Sequence, residues 1–269
     1  MRDSLRWGLS SSLSADLAQP SVIADVAVAA ESAGWEGFFV WDHLWNRTGD
    51  PFADPWVTLA AVATATHQVR IGPMVTPLPR RRPQVVAQHA ATLDRLSGGR
   101  LTLGVGLGHD EYGEYSAFDE PLTDARSRAR VLDDGLELLT VALSGDPVES
   151  AGRRPTTVAC VQRPRCPIWV AATVPATAGP RRAARHGLEG IAAVGVDEWT
   201  PAHVSQLLNE GGYEPGDIDV ALIGGDHPDE ASLAEAGATW AIAEIDLGAS
   251  AAEALAMAKS RQRSVLPQD

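Results

Sequence analysis

Short apolar runs alternate with longer stretches of helical period along this 269-residue chain. Eight of the runs have the length and the flanking turn residues of buried strands. We predict strands at residues 5–11, 37–42, 69–75, 101–107, 167–173, 190–195, 220–225 and 239–245. Runs of this kind that alternate with helices are typical of βα units, which build a parallel sheet.

The stretches between these runs predict helices with recognisable ends. Residues 22–33 carry one apolar stripe, which stops at Gly34. A capping aspartate followed by proline at Asp54-Pro55 predicts the start of another helix. Further helices are predicted over residues 84–96, 123–143, 231–237 and 250–263.

Eight strands, each followed by a helix, predict a TIM-type (β/α)₈ barrel, for which about 250 residues is the usual length. An open, doubly wound sheet is the alternative, because periodicity does not show closure. Residues 145–166 form the long irregular insertion and contain a possible short strand at "TTVACV", residues 156–161. No linker or repeat divides the chain, so we expect a single domain over residues 1–269.

Composition narrows the functional classes. The formal net charge is −13, and no long basic run occurs, which argues against nucleic acids and anionic membranes as partners. The two cysteines, Cys160 and Cys166, are expected to be free thiols in a reducing compartment. The sequence also has no signal-peptide pattern and no membrane-length apolar run, so we expect a cytoplasmic protein.

In a barrel of this type the active site lies at the carboxyl ends of the strands. The residues at the ends of the second to fifth predicted strands are therefore expected to face one cavity; they are Asp42, His43, Thr76, Leu107, Gly108, His109 and Thr173. His43 is the strongest candidate, because an imidazole gives or takes a proton near neutral pH. A buried histidine that only bonds the backbone is an equally weighted alternative.

Other chemistries find less support. No HExxH, HxH or CxxC spacing is present, so we expect no metal, and no GxSxG nucleophile elbow occurs. The stretch "GVGLGH", residues 104–109, lacks the third glycine and the helix start of a dinucleotide fingerprint. These glycines would either let a flat ligand approach the backbone or fill a crowded barrel layer.

Two loops are candidates for binding anions. In residues 171–187 a strand end and a small-residue loop precede a helix that begins near Ala178, and Thr173 and Thr177 add hydroxyl donors. Arg80, Arg81 and Arg82 follow the third predicted strand. They could meet an acidic tail or substrate, although a solvated basic loop is favoured about two to one.

Taken together, these residues resemble the luciferase-like monooxygenase family, which includes FMN-dependent monooxygenases and reductases that use the deazaflavin F420. The resemblance rests on "AESAGWEGFFVWDHL", on the block from "DPWVTLAAVATATHQ" to "LTLGVGLG", and on "EYSAFDE", "CPIWVAAT" and "AGATWAI". It covers most of the chain. The middle block is the most specific part.

The resemblance implies a flavin-type ring over the strand ends and a histidine, His43, that acts as acid, base or hydrogen-bond donor. His109 is taken as a second catalytic candidate. The implied cofactor contacts are Asp42, Met74, Thr76, Leu107, Gly108, Ala172, Thr173, Thr177 and Ala178. Met74 belongs to an implied bulge over residues 72–75, which in this family often contains a non-prolyl cis peptide. The family also implies a homodimer.

The chain departs from the family at several points. F420-dependent members often have a glutamate where this chain has His109, although Glu111 is near. The insertion regions are short.

From the resemblance as a whole we interpret the chain as an F420- or FMN-dependent oxidoreductase or monooxygenase of a small organic substrate, with F420 slightly favoured by the arginine loop. A non-catalytic flavin- or metabolite-binding relative is the alternative, and a metal-dependent hydrolase ranks third. Variable loops would contact the substrate, so its identity is not predicted.

Overall fold

The computed structural model describes residues 4–45, 49–149, 152–175 and 177–260. The strands are β1 Arg6–Ser11, β2 Gly37–Val40, β3 Arg70–Pro73, β4 Thr76–Pro77, β5 Leu103–Gly106, β6 Ile168–Thr173, β7 Gly190–Val194, β8 Asp219–Ile223 and β9 Trp240–Glu244. The α-helices are α1 Pro20–Ala33, α2 Pro55–Ala65, α3 Pro83–Leu96, α4 Ala125–Ala142, α5 Ala178–His186, α6 Pro201–Gly211, α7 Glu230–Glu235 and α8 Ala251–Ser260. Every predicted strand is present; the third, predicted over 69–75, ends at Pro73, and a further short strand, β4, follows beyond its predicted end.

The strands form one parallel sheet in the order β3-β2-β1-β9-β8-β7-β6-β5-β4. Its first and last members are two halves of one extended segment, interrupted at Met74 and Val75, whose peptide bond is cis. A parallel bridge between Ile71 and Leu101 joins the two sides of the gap. The Ile71 N–H donates to the Arg100 carbonyl at 3.0 Å. The sheet therefore closes into the TIM-type barrel predicted from the sequence, and the open-sheet alternative is wrong.

Local signals explain the helix starts. Asp54 caps α2 by accepting a hydrogen bond from the Val57 N–H at 2.9 Å, and Pro55 occupies the first helical position. Asp124 caps α4 in the same way through the Ser127 N–H. The predicted helix over 250–263 begins as expected, but residues 261–263 lie outside the described part of the chain.

The expected short strand at residues 156–161 is not formed. Instead the segment folds back on α4, and the Cys160 N–H donates to the Leu143 carbonyl at 3.1 Å. Buried Asp94 accepts the N–H groups of Val161 and Gln162 at 2.7 and 3.2 Å. These acceptors satisfy backbone donors that would otherwise need a neighbouring strand, so the prediction from the β-branched run was wrong.

Aromatic side chains fill the barrel interior. The rings of Phe39, Trp169 and Trp240 contact one another with centroids 5.8 to 6.1 Å apart. Gly8 and Gly37 leave the space that the Phe39 ring occupies. A filled interior leaves open space only beyond the strand ends, and this is where the candidate site lies.

A second and larger apolar core lies between the strands and the surrounding helices. Among the described helices, none combines the length and the hydropathy that a membrane crossing requires.

Candidate active site

The mouth of the barrel at the carboxyl ends of the strands brings together several of the predicted residues. His43 follows β2 and His109 follows β5, and the centroids of their rings lie 5.6 Å apart. Thr173 ends β6 as an exposed residue. The expectation that these strand tips share one region of the molecule is therefore met for the two histidines.

Asp42 is neutralised beneath this mouth. Its side chain is fully buried, and it accepts hydrogen bonds from the Arg80 and Arg81 guanidinium groups at 2.8 Å. Arg80 also donates to the Asp42 carbonyl at 2.7 Å. Two cations around one buried carboxylate satisfy its acceptors, so the contact of Asp42 with a cofactor ring remains a prediction that this packing does not favour.

Glu114 links Arg80 to the candidate catalytic histidine. Its side chain is 1% exposed, and its Oε1 accepts from Arg80 and from the Leu44 N–H, both at 2.6 Å. The other oxygen, Oε2, lies 3.2 Å from His43 Nδ1. Burial alone would raise the pKa of Glu114, but the His43 contact, the Leu44 N–H and Arg80 outweigh it and lower that pKa.

The position of Glu114 selects the tautomer of His43. An ionised carboxylate can only accept hydrogen bonds, so Nδ1 of His43 carries the proton in this contact. Nε2 is then the nitrogen left to take up a proton from a ligand, and the imidazole is partly exposed. The arrangement resembles the orienting carboxylate of a general base.

The surroundings of His109 favour its neutral form. Burial lowers its pKa, and repulsion by His43 lowers it further, against the smaller attraction of Glu114 and Glu111. Its Nδ1 is buried and has no hydrogen-bond partner among the described residues. The ring packs edge-on against Tyr112, with centroids 5.0 Å apart. A neutral imidazole with a free nitrogen can accept or donate one bond to a ligand.

The loop after β5 is fixed by a buried tyrosine. The Tyr115 hydroxyl donates to the Leu107 carbonyl at 3.1 Å, and burial raises the pKa of Tyr115 to about 12. Gly108 has φ +63°, and a Cβ there would contact Pro77 and the Tyr115 hydroxyl. Leu107 packs partly against the outer core. Its carbonyl and Gly108 thus belong to a rigid rim of the mouth.

The predicted phosphate loop ends at the N-terminus of α5. Thr177 precedes the helix without a side-chain capping bond, and Ala178 is its exposed first residue. A Cβ at Gly179 would overlap the end of β6, so the helix start lies directly against the strand. Ala172 is buried against this helix, and therefore only its backbone could approach a ligand. Residue 176 lies outside the described part of the chain.

The implied bulge in the third predicted strand is present. Met74 and Val75 are joined by a cis peptide bond, as the resemblance implied. The Met74 side chain points into the barrel interior beside the aromatic cluster. The Thr76 hydroxyl is buried and has no partner among the described residues, which leaves a donor and an acceptor unused. The Thr76 hydroxyl therefore remains able to form a hydrogen bond with a ligand.

One nitrogen or oxygen from each of His43, His109 and Glu114 lies within 4.8 Å of the others, a spacing that could hold a metal ion. Arg80 already neutralises Glu114 at 2.6 Å. A guanidinium at this position opposes a second cation on the same carboxylate. The pairing with Arg80 therefore argues against a metal ion on Glu114.

The sequence did not reveal the role of Glu114. This residue opens the quoted "EYSAFDE" block, but Glu111 was considered as the second carboxylate, and Glu111 is exposed. Arg80, Arg81 and Arg82 were expected either in solvent or on an anionic ligand; Arg82 is exposed, whereas Arg80 and Arg81 pair with buried carboxylates. A possible signal was the presence of two acidic residues, Asp42 and Glu114, on loops predicted to meet the arginine loop.

Replacing Asp42 by Asn removes one charge from a buried cluster that holds two arginines. We expect the free energy of unfolding to fall by about 3–5 kcal/mol, because breaking a buried ion pair leaves the partner charges unpaired. Urea denaturation measures this change. Glu149→Gln breaks the mostly exposed ion pair with Arg154 and should change stability by less than about 0.5 kcal/mol. Equal midpoints for Asp42→Asn and wild type would contradict the cluster.

The pKa of His109 tests the geometry of the mouth. We expect it to lie below the ordinary histidine value of about 6.5. His43→Gln should raise it, because a repelling cation is lost, whereas Glu111→Gln should lower it slightly, because an attracting carboxylate is lost. NMR titration of the ring resonances measures both shifts. A pKa of His109 that does not respond to His43→Gln would mean that the two rings are not neighbours.

Comparison with known proteins identifies relatives of this chain in sequence and in structure. An F420-dependent glucose-6-phosphate dehydrogenase of Beutenbergia cavernae is 37% identical over 173 residues, which is 60% of this chain and 50% of that protein. The chain spans about half the length of the curated relatives it matches.

Solved structures share the fold. The F420-dependent tetrahydromethanopterin reductase of Methanopyrus kandleri superposes with a TM-score of 0.71 at 16% identity and covers 96% of this chain and 98% of its own. A riboflavin lyase solved with modified FMN and riboflavin gives a TM-score of 0.66 at 17% identity, with 82% of this chain and 62% of that one covered. The model of the luciferase-like monooxygenase family matches residues 5–263, so the chain belongs to that family.

Proposed function

We propose that the protein is an oxidoreductase that transfers hydride between F420 and a small organic substrate, and that His43 exchanges the accompanying proton. The observation that carries this proposal is the buried chain of contacts from Arg80 through Glu114 to His43 at the mouth of the barrel. It presents one oriented imidazole where a βα barrel binds its substrate.

Each charged or ionisable residue of this site has a separate role in the proposed proton transfer. Arg80 keeps Glu114 ionised, and Glu114 in turn holds the proton on Nδ1 of His43. Nε2 of His43 then accepts a proton from the substrate hydroxyl in oxidation, or returns it in the reverse direction. His109, which is neutral and 5.6 Å away, can bond the same substrate oxygen without competing for the proton.

Several residues would hold the cofactor. Its phosphate would lie at the N-terminus of α5, where the free N–H groups of the helix, Thr173 and Thr177 offer donors. Its ring would lie above Met74 and near the unpartnered Thr76 hydroxyl. When bound, F420 supplies a carbon that gains or loses hydride, and the barrel orients this carbon and excludes water.

The preference for F420 over FMN no longer rests on the arginine loop, which was the argument from the sequence. Arg80 and Arg81 are engaged by Asp42 and Glu114, so the arginine loop no longer argues for an acidic cofactor tail. The F420-dependent relatives support F420 instead. FMN-dependent monooxygenation is the second candidate, since the same fold is found in a lyase that was solved with modified FMN.

Titration with each cofactor, followed by assays with glucose, glucose 6-phosphate and 2-propanol, tests the proposal. We expect a spectral change with F420 at micromolar concentration and reduction of the cofactor by at least one alcohol. His43→Gln should lower turnover by about 10²–10⁴-fold, the usual contribution of general base catalysis, and change cofactor affinity little. His67→Gln replaces an exposed histidine outside the mouth and should leave both values unchanged.

The alternatives give different outcomes. If neither F420 nor FMN binds at tens of micromolar, the assignment to a cofactor-dependent oxidoreductase is wrong. If a cofactor binds but His43→Gln and wild type have equal rates, His43 is not the proton-exchanging group. Binding without turnover of any substrate would favour the non-catalytic flavin- or metabolite-binding protein.

We also propose a homodimer formed through the outer face of α2 and α3. A groove of 840 Å³ lies between these helices, and it is bordered by the largely exposed side chains of Val57, Leu96 and Val158. Contiguous apolar surface of this kind marks an association site. We assign a second copy of the chain as its occupant, since a twofold dimer joins the same patch of both subunits.

Sedimentation velocity tests the dimer. Wild type should sediment as a dimer, and Val57→Glu should sediment as a monomer, because a charge is then buried in the interface. Val28→Glu places the same charge on the exposed face of α1 and should not change the sedimentation coefficient. A monomeric wild type at micromolar concentration would exclude this assembly.

Two further expectations stay proposals. The chain forms one domain over residues 1–269, which the continuous nine-stranded sheet of the described residues supports. The protein is cytoplasmic, which the buried free thiols of Cys160 and Cys166 support, since thiols persist in reducing compartments.

A further inference from the structure

The excess of negative charge is concentrated on one side of the barrel. Residues 186–258 contain fourteen acidic residues and no lysine or arginine. The rest of the chain has 21 acidic residues and 22 lysines and arginines, so it is nearly neutral. The acidic segment comprises β7, β8 and β9 and helices α6 to α8. We call it the acidic half.

Within the acidic half, Glu244 is the residue that reaches the barrel mouth. Trp240 and Ile242 of β9 belong to the cluster inside the barrel, whereas Ala241 and Ile245 pack in the outer core. Side chains alternate along a strand. Glu244, the last residue of β9, therefore continues the inward row and stands at its open end.

Glu244 lies on the same side of the mouth as the candidate catalytic histidine. It is in register with Ser10 of β1, and the Ser10 hydroxyl accepts a hydrogen bond from Trp41 Nε1 at 2.9 Å. The Trp41 and His43 rings lie 6.4 Å apart. One strand separates β9 from β2, and the register through Ser10 sets Glu244 level with Phe39, four residues before His43. Since neighbouring strands are about 4.8 Å apart, the backbones of Glu244 and His43 are more than about 10 Å apart.

Glu244 differs from the other acidic residues of the mouth. The carboxylates of Asp42 and Glu114 are neutralised by arginines. The carboxylate of Glu244 has no hydrogen bond or ion pair among the described residues. Its carboxylate lies over Gly224, where a Cβ would overlap it. Glu244 is solvent-exposed at the rim, yet the protein around it disfavours the ionised form and raises the pKa of Glu244.

We propose that Glu244 determines substrate specificity, by accepting a hydrogen bond from a hydroxyl or ammonium group of the substrate and by excluding a phosphate there. The inference rests on the proposed function, because it takes His43 as the other end of the substrate site. The substrate is accordingly an uncharged or cationic alcohol or carbonyl compound, with a hydrogen-bond donor remote from the reacting carbon.

This specificity separates the chain from its F420-dependent relatives that are named for glucose 6-phosphate. A phosphate beside an unpaired carboxylate would meet like-charge repulsion in a partly desolvated site, with no arginine or lysine of the acidic half to offset it. Repulsion of this kind selects against a ligand without adding any contact to the preferred one.

The test uses the cofactor-loaded protein and two variants at this position. Cofactor binding is measured first for wild type, Glu244→Gln and Glu244→Lys. Calorimetric titration with inorganic phosphate, glucose and glucose 6-phosphate follows. Glu244→Lys should bind inorganic phosphate at least tenfold more tightly than wild type, and wild type should bind glucose 6-phosphate no more tightly than glucose. Glu244→Gln should reduce the discrimination against glucose 6-phosphate about tenfold.

The control is Glu235→Gln, which removes one charge from exposed α7 in the same acidic half and should behave as wild type. Tighter binding of glucose 6-phosphate than glucose by wild type would overturn the inference, as would equal phosphate affinity for wild type, Glu244→Lys and Glu235→Gln. If the wild type binds neither F420 nor FMN, the proposed function is refuted instead. The two failures are therefore distinguishable.

Discussion

The candidate site depends on a buried cluster of two carboxylates and two guanidinium groups. Asp42 binds Arg80 and Arg81, and Glu114 binds Arg80, with all of these contacts between 2.6 and 2.8 Å. The cluster joins the end of β2 to the segment after β4 and to the loop after β5. Buried charges are tolerated only when paired, so these three segments must lie together for any one of them to be stable. The mouth of the barrel is built around that requirement.

The position of His43 follows from this cluster. The residue follows directly on Asp42, and its Nδ1 lies 3.2 Å from Glu114, so both its backbone and its ring are held by the same charges. A ring fixed in this way loses little entropy when a substrate binds, which favours proton transfer in a defined direction. The guanidinium groups of Arg80 and Arg81 are already bonded within this cluster. Any anionic part of a cofactor must therefore find its donors elsewhere, and α5 offers them.

The sequence predicted the fold well because apolar runs and helix caps are local signals. The barrel, all predicted strands and the location of His43 and His109 followed from run length, capping residues and the rule that active sites lie at strand carboxyl ends. The contacts of Glu114 could not be predicted, since its partners His43 and Arg80 are 71 and 34 residues away in sequence. The failed strand at 156–161 has the same cause, because Asp94 satisfies that backbone from a distant helix.

The distribution of charge around the mouth would orient a bound cofactor. Carboxylates near β2 and β5 are neutralised, so that side of the mouth can accept an anion, whereas the acidic half contributes no lysine or arginine of its own, and Glu244 at the mouth has no ion pair among the described residues. The α5 N-terminus follows β6, and the acidic half begins with the next strand. A phosphate-bearing cofactor would therefore be repelled from β7–β9 and attracted to α5, which orients it across the mouth with its ring toward His43. The far side, at Glu244, is then left to the part of the substrate that carries no negative charge.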